Sequence, residues 1–200
     1  GDKIFINTSG IGHVRVGVNI DPGNCQPGDV VIISGTMGDH GVAIMSARAG
    51  LEFETSIESD SAALNSLVDS ILDTSRHISV LRDPTRGGVA TTLNEICQSA
   101  RVGMVRQEGL IPVSPGVRGA CEVLGLDPLY IANEGKLLVI LPEKEVDAVL
   151  EKMKQHPLGA NSAVIGKLVA DHPSMVRMTT SIGSSRIIDM LTGEQLPRIC

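Results

Sequence analysis

The 200-residue sequence predicts an α+β domain, a mixed sheet flanked by helices. Between Val30 and Gln155, short β-branched or apolar runs alternate with stretches of helical period, the pattern of a sheet covered by helices around one core. Between Ala163 and Met190, three strand-like runs (Ala163–Val169, Met175–Thr179 and Ser185–Met190) follow one another with no helix between them, which calls for a mixed rather than a purely parallel sheet. Composition agrees: 42% of residues are hydrophobic and the formal charge is −6, as in an ordinary globular chain. Only Phe5, Phe53 and Tyr130 are aromatic, so the core must be built from aliphatic side chains.

Taken in order, Lys3–Thr8 and Val14–Ile20 alternate like short strands that need a neighbour to pair with, and Asp21–Gly28 is a turn-rich connector. Residues 1–28 are therefore expected to be the tail of a preceding domain. Val30–Ser34 has the continuous β-branched run of a strand buried on both faces. The loop Gly35–Gly41 leads from it into a helix-compatible stretch, Val42–Ala49. Ser59–Asp73 places Leu64, Leu67, Val68, Ile71 and Leu72 on one helical face, with Ser59 or Asp60 as cap. Strand, glycine loop and helix then recur: Ile78–Leu81, Asp83–Gly88, and a helix whose Val89, Leu93, Ile96, Cys97 and Ala100 share a face. Ser114-Pro115 starts a further helix, with Ser as cap and Pro at the first position, and Gly125 ends it. Lys136–Leu141 is a strand and Glu143–Gln155 a helix.

Several function classes are disfavoured. A negative balance without a Lys/Arg run gives no footprint for a phosphate backbone, so no nucleic-acid partner is expected. The longest apolar stretch, Leu137–Pro142, is far short of the roughly 20 residues a bilayer crossing needs. A cytoplasmic protein with no membrane partner is the expectation. The four cysteines, Cys25, Cys97, Cys121 and Cys200, form no CxxC or Cys/His cluster, so reduced thiols are expected, with Cys97 and Cys121 in the core.

Chemistry is sought first at the two glycine loops. A loop between a buried strand and a helix start offers backbone N–H groups and the positive helix end to a phosphate, and it equally serves as a plain tight turn. Asp83 and Arg86 can assist a metal or phosphate oxygen, or pair locally. His40 can act as an acid or base, or as a hydrogen-bond partner in a turn. His13, His77, His156 and His172 stand in loops without matched partners. Glu134 sits at the mouth of an apolar strand, where low dielectric suits a proton acceptor, and it also reads as a solvated turn residue. Cys200, the last residue, is either an accessible working thiol or an incidental one.

Together, Ser34-Gly-Thr-Met-Gly-Asp-His-Gly41, Asp83-Pro-Thr-Arg-Gly-Gly88, Asn133-Glu-Gly-Lys136 and the terminal Pro197-Arg-Ile-Cys200 resemble the HypE family, the carbamoyl dehydratases of nickel–iron hydrogenase maturation. The resemblance runs in order through nearly the whole chain. It implies a fold of the aminoimidazole ribonucleotide synthetase C-terminal-domain type, as in selenophosphate synthetase and thiamine-monophosphate kinase. It also implies a division into a remnant of an N-terminal ATP-binding domain and connector (1–28), the α+β domain (29–190) and a flexible tail ending in the modified cysteine (191–200).

By the same resemblance, Cys200 accepts a carbamoyl group from the carbamoyltransferase HypF, ATP phosphorylates the carboxamide oxygen, and elimination leaves a thiocyanate. That group is passed to a HypC–HypD acceptor as a cyanide ligand. Cys200 and Glu134 are the implied catalytic residues, Glu134 as base. Gly38, Asp39, Arg86, Gly87 and Gly88 are the implied phosphate holders, with ATP and Mg²⁺ as cofactors, no metal ligand assigned, and a homodimer of the full-length protein. Two other readings stay open: another ATP-using enzyme of the superfamily, selenophosphate synthetase or kinase-like, and a non-catalytic interaction module whose tail docks a partner.

Overall fold

In the computed structural model, which describes residues 7, 9–50 and 57–191, the β-branched run Val30–Ile33 forms β1 near the middle of a seven-stranded sheet. The chain continues through α1 (Asp39–Ala49), α2 (Asn65–Thr74), β2 (Val80–Arg82), α3 (Gly88–Ala100), β3 (Gly103–Gln107), α4 (Pro115–Leu124), β4 (Leu138–Leu141) and α5 (Val146–Lys154). Three strands complete it: β5 (Ala163–Val169), β6 (Val176–Thr179) and β7 (Ser185–Ile188). Across the sheet the order is β2-β4-β1-β5-β3-β6-β7, with every pair antiparallel except β3 with β6. The expected mixed sheet is present.

The alternation of β1 assigns its side chains to two cores. Val31 and Ile33 join Leu138, Ile140 and the α3 residues Val89, Leu93 and Cys97 on one face. Val30 and Ile32 join Val139, Leu141, Leu67 and Ile71 of α2, and Val149 and Met153 of α5 on the other. Each such side chain taken fully out of water contributes about 1.5–3 kcal/mol, so a strand buried on both faces does the most to hold the layers together. A smaller cluster, Val42, Val117, Ala120, Cys121 and Ile131, packs α1 against α4. α4 begins as its sequence predicts: Ser114 accepts the Val117 N–H, Pro115 opens the helix, and Gly125 closes it at φ 66°.

Four expectations need correction. Val14–Ile20 forms no strand; Val14 and Val16 are exposed, and Arg15 fastens the segment to α2 through Asp69 and Asp73 at 2.6 and 2.8 Å. The alternation is there, but no described strand edge pairs with it. Lys3–Thr8 lies outside the described residues except for Asn7, which is not in a strand. α2 starts at Asn65, leaving Ser59 and Asp60 as loop residues with partners elsewhere. Gly103–Gln107 is a strand that the periodicity did not reveal. Two loop histidines do have partners: His77 meets Glu145 at 3.2 Å, and His156 meets Ser66 while accepting the Leu158 N–H.

Cys25, Cys97 and Cys121 are free thiols and all three are buried. Burial pushes the Cys97 thiol up from 9.0 to about 12; burial, helped by Asp29, takes Cys25 to about 12; burial takes Cys121 to about 11. A thiol raised by folding keeps its proton after the unfolded chain has lost its own, so the native state binds more protons above about pH 9. Its stabilising contribution is complete below that pH and is lost as pH rises toward 11–12. Urea midpoints are therefore expected to fall from about pH 9 upward, less steeply in Cys97→Ala than in the parent chain.

Candidate active site

Both glycine loops end on a glycine that caps a helix in the left-handed region: Gly38 (φ 89°) before α1 and Gly87 (φ 70°) before α3. The capping residues are glycines and offer no side-chain cap to either helix, although the Gly38 N–H is taken by Asn133 and the Gly41 N–H by the Ala132 carbonyl. Gly88 adds a close approach: a Cβ there would stand 2.4 Å from the Leu129 carbonyl oxygen, a spacing no side chain tolerates.

Asn133 joins the two loops. It is fully buried, its Oδ1 accepts the Gly38 N–H at 2.9 Å, and its Nδ2 donates to the carbonyls of Pro84 and Ile131, each at 3.1 Å. The Asn133 N–H also reaches Pro84 O. One side chain thus fixes the start of α1 relative to the Asp83–Gly88 loop.

Glu134, the next residue, has Oε1 buried with no hydrogen-bond partner. Its backbone N–H donates to Asp60 Oδ1 at 3.1 Å. Asp60 Oδ2 in turn faces Lys136 Nζ at 3.1 Å, and both side chains are largely buried, 3% and 14% exposed. A Cβ on Gly135 would lie 1.7 Å from the Asp60 carbonyl oxygen, so the intimacy of these two loops depends on that glycine. The result is a carboxylate clamped at its backbone and unpaired at one oxygen, which is suited to accept a proton from a bound group.

The remaining expected residues are placed as follows. Asp39 lies beside Gly38, but its carboxylate accepts the hydroxyls of Thr36 (2.6 Å) and Ser114 (3.3 Å). Arg86 and Asp83 are exposed on the second loop. His40 is buried, with Nδ1 2.8 Å from Ser59 Oγ, which fits the hydrogen-bonding alternative. Cys200 lies outside the described residues. The structure therefore gathers Gly38, Asp39, the Asp83–Gly88 loop and Glu134 around Asn133. Neither Asn133 nor Asp60 was read as a site residue; Asn133 stood within a quoted motif and Asp60 was read only as a helix cap, while nothing in the sequence near Asp60 points to partners 74 and 76 residues away.

Residues 26–178 match the family model of AIR synthase related proteins, C-terminal domain. The chain belongs to that family. Within it, the chain is 54% identical over 200 residues to the carbamoyl dehydratase HypE of Cupriavidus necator, covering all of this chain and 57% of that protein. A solved hydrogenase maturation protein HypE in complex with ATP superposes with a TM-score of 0.86 at 46% identity, over 90% of this chain and 55% of that one. A HypE–HypF complex gives 0.84 at 44% identity, over 88% and 57%. The chain thus spans less than three-fifths of the length of these HypE relatives. Its AIR synthase-type fold agrees with the expectation from the motifs.

Proposed function

We propose that this chain is the C-terminal part of an ATP-dependent carbamoyl dehydratase of hydrogenase maturation, which converts an S-carbamoyl group on its own Cys200 to thiocyanate. The observation that carries the chemistry is Glu134 Oε1, buried and unpaired, next to Asn133, whose side chain joins the glycine-capped start of α1 to the Asp83–Gly88 loop. The names of the relatives, a carbamoyl dehydratase and a HypE bound to ATP, support the same reading.

An amide oxygen is a very poor leaving group and phosphate a good one. Transfer of the γ-phosphoryl group of ATP to the carboxamide oxygen, with loss of one N–H proton, gives a phosphorylated imidate on sulfur. Loss of the second N–H proton and of phosphate leaves the C≡N triple bond. Glu134 is the acceptor of those protons in this reading. In this reading the start of α1 at Gly38 and Asp39 and the start of α3 at Arg86, Gly87 and Gly88 border the phosphates. Arg86 and backbone N–H groups meet phosphate oxygens, while the Asp39 carboxylate stays on Thr36 and Ser114. In such a setting positioning and electrostatics dominate the catalysis. Among the described residues no group of three or more His, Cys, Asp or Glu side chains forms a metal site. In this reading Mg²⁺ would be held mainly by the phosphates of ATP, with one or two carboxylates such as Asp83 added.

The domain reading follows the same proposal: residues 1–28 as remnant and connector, 29–190 as the α+β domain, and 191–200 as the tail that carries Cys200. The solved HypE–HypF complex supports HypF as a partner, and the motif resemblance gives it the role of carbamoyl donor. The motif resemblance extends the reading to a HypC–HypD acceptor, a homodimeric full-length protein and a cytoplasmic setting; no helix among the described residues is long and apolar enough to cross a membrane.

Intact-protein mass spectrometry tests the reading. With HypF, carbamoyl phosphate and ATP, a carbamoyl adduct is expected on the parent chain and absent from Cys200→Ala. Loss of one water on adding Mg²⁺ is the expected second step. An adduct that persists places the essential ATP site in the part of the relatives this chain does not span, and no adduct on any cysteine overturns the proposal.

A further inference from the structure

Asp60 and Lys136 flank Glu134 and take no part in the chemistry described above. Asp60 stands in the loop before α2 with its side chain 3% exposed. A carboxylate leaves water only where partners replace its hydration. Its Oδ1 accepts the Glu134 N–H at 3.1 Å, and its Oδ2 meets the Lys136 ammonium at 3.1 Å. Gly135, between the two partners, completes the fit: a Cβ there would stand 2.9 Å from the Ala62 backbone nitrogen. A buried ion pair is often no better for stability than apolar side chains of similar volume. What it supplies here is geometry, because a hydrogen bond to a charged acceptor holds its donor strongly in one place.

The same loop is tied to α1. Ser59 Oγ lies 2.8 Å from Nδ1 of His40, in the first turn of that helix, and accepts the Ser61 N–H at 3.2 Å. Lys136 lies against the other end of the first glycine loop, where a Cβ on Gly35 would stand 3.3 Å from Lys136 Cε. Ser59-Asp60 and Lys136 thus bracket the Gly35–Gly41 loop at both ends while holding the Glu134 backbone. Asn133 supplies a separate hold through the Gly38 N–H at 2.9 Å. Two independent routes therefore locate Glu134 relative to the start of α1.

We infer that Asp60 is a positioning residue for Glu134, fixing where that carboxylate stands relative to the start of α1, with Lys136 as the counter-charge that holds Asp60. The inference rests on the reading of Glu134 as the proton acceptor. Asp60 acts through the Glu134 backbone and touches no reacting atom. Proton transfer requires hydrogen-bond reach, and a misplacement of about 1 Å can cost about 10²-fold in rate.

Two double variants isolate the contact, because each removes both buried charges together. Asp60→Asn with Lys136→Met keeps an oxygen that accepts the Glu134 N–H; Asp60→Leu with Lys136→Met fills the same space without one. Carbamoylation by HypF, read by intact mass, should proceed equally in both. Dehydration with ATP and Mg²⁺ is expected to be about 10²-fold slower in the Leu variant than in the Asn variant, at a similar KM for ATP. In a Glu134→Gln background the two should differ by less than about threefold, since no base is left to position. A purely structural role gives the same ratio in both backgrounds.

The carboxyl ¹³C resonance of Glu134, assigned through Glu134→Gln, reads its placement without ATP. It should move in the Leu variant and stay near the parent position in the Asn variant. Equal dehydration in the two variants, a ratio that persists in Glu134→Gln, or an unmoved carboxyl resonance in the Leu variant overturns the inference. A folded Asn variant that dehydrates about 10²-fold more slowly than the parent also overturns it, whether or not the Leu variant folds. Absence of dehydration in the parent chain counts against the proposed function instead, and the resonance then decides the placement.

Discussion

Glu134→Gln is expected to slow dehydration of the S-carbamoylated chain by about 10²–10⁴-fold, the usual contribution of a positioned general base. The substitution keeps the shape of the side chain and the backbone donation from residue 134 to Asp60, so it removes proton acceptance and little else. Carbamoylation of Cys200 by HypF should continue at the parent rate, because the thiol and its tail are unchanged. The two steps separate in one time course of intact masses: the carbamoyl adduct appears normally, and the loss of water lags. Dehydration at the parent rate in Glu134→Gln would remove Glu134 from the chemistry and move the search to another carboxylate.

Asn133→Ala is expected to destabilise the chain by about 3–5 kcal/mol. The side chain is fully buried and makes three hydrogen bonds, to Gly38, Pro84 and Ile131. Its truncation leaves the Gly38 N–H and the Ile131 carbonyl without that partner, at about 1–3 kcal/mol for each group left unsatisfied, while the Pro84 carbonyl keeps the Asn133 backbone N–H and loses one of its two donors. The loss is read from the urea midpoint at constant m-value. Asn133→Asp tells apart the two halves of the side chain, since it keeps the acceptor for Gly38 and gives up the donors to Pro84 and Ile131. Where nucleotide binding is measurable, Asn133→Ala should weaken it as well, because the two helix starts no longer share a fixed spacing. An Asn133→Ala chain as stable as the parent would mean that the loops are held together by other contacts.

The parts of the fold that were legible are those where local pattern and tertiary environment agree. Val30–Ile33 is β-branched throughout and is buried on both faces, and Ser114-Pro115 caps α4 as its residue types require. β3 was not legible because Gly103-Met-Val-Arg-Gln107 puts an arginine on its buried side, which hides the alternation of a strand. Val14–Ile20 misleads for the opposite reason: its alternation is strong, yet strand formation depends on a pairing edge that the described chain does not offer it. At the site, the glycine loops and Glu134 were readable as motifs. Their arrangement was not, because it rests on Asn133 and Asp60 reaching residues between 49 and 95 positions away.

The place of β1 in the sheet also bears on how the chain comes off the ribosome. β1 is made early, yet its two neighbours are β4 and β5, with Val30 opposite Leu141 and Lys167. Until those residues emerge, an aliphatic strand with both edges open waits in the nascent chain while most of the domain is synthesised. Pairings so distant in sequence close slowly, and open apolar edges are where misassembly and aggregation begin. The sheet around β1 can thus close only after β5 has emerged, which leaves a long interval in which a holdase chaperone has Val30–Ile33 to bind.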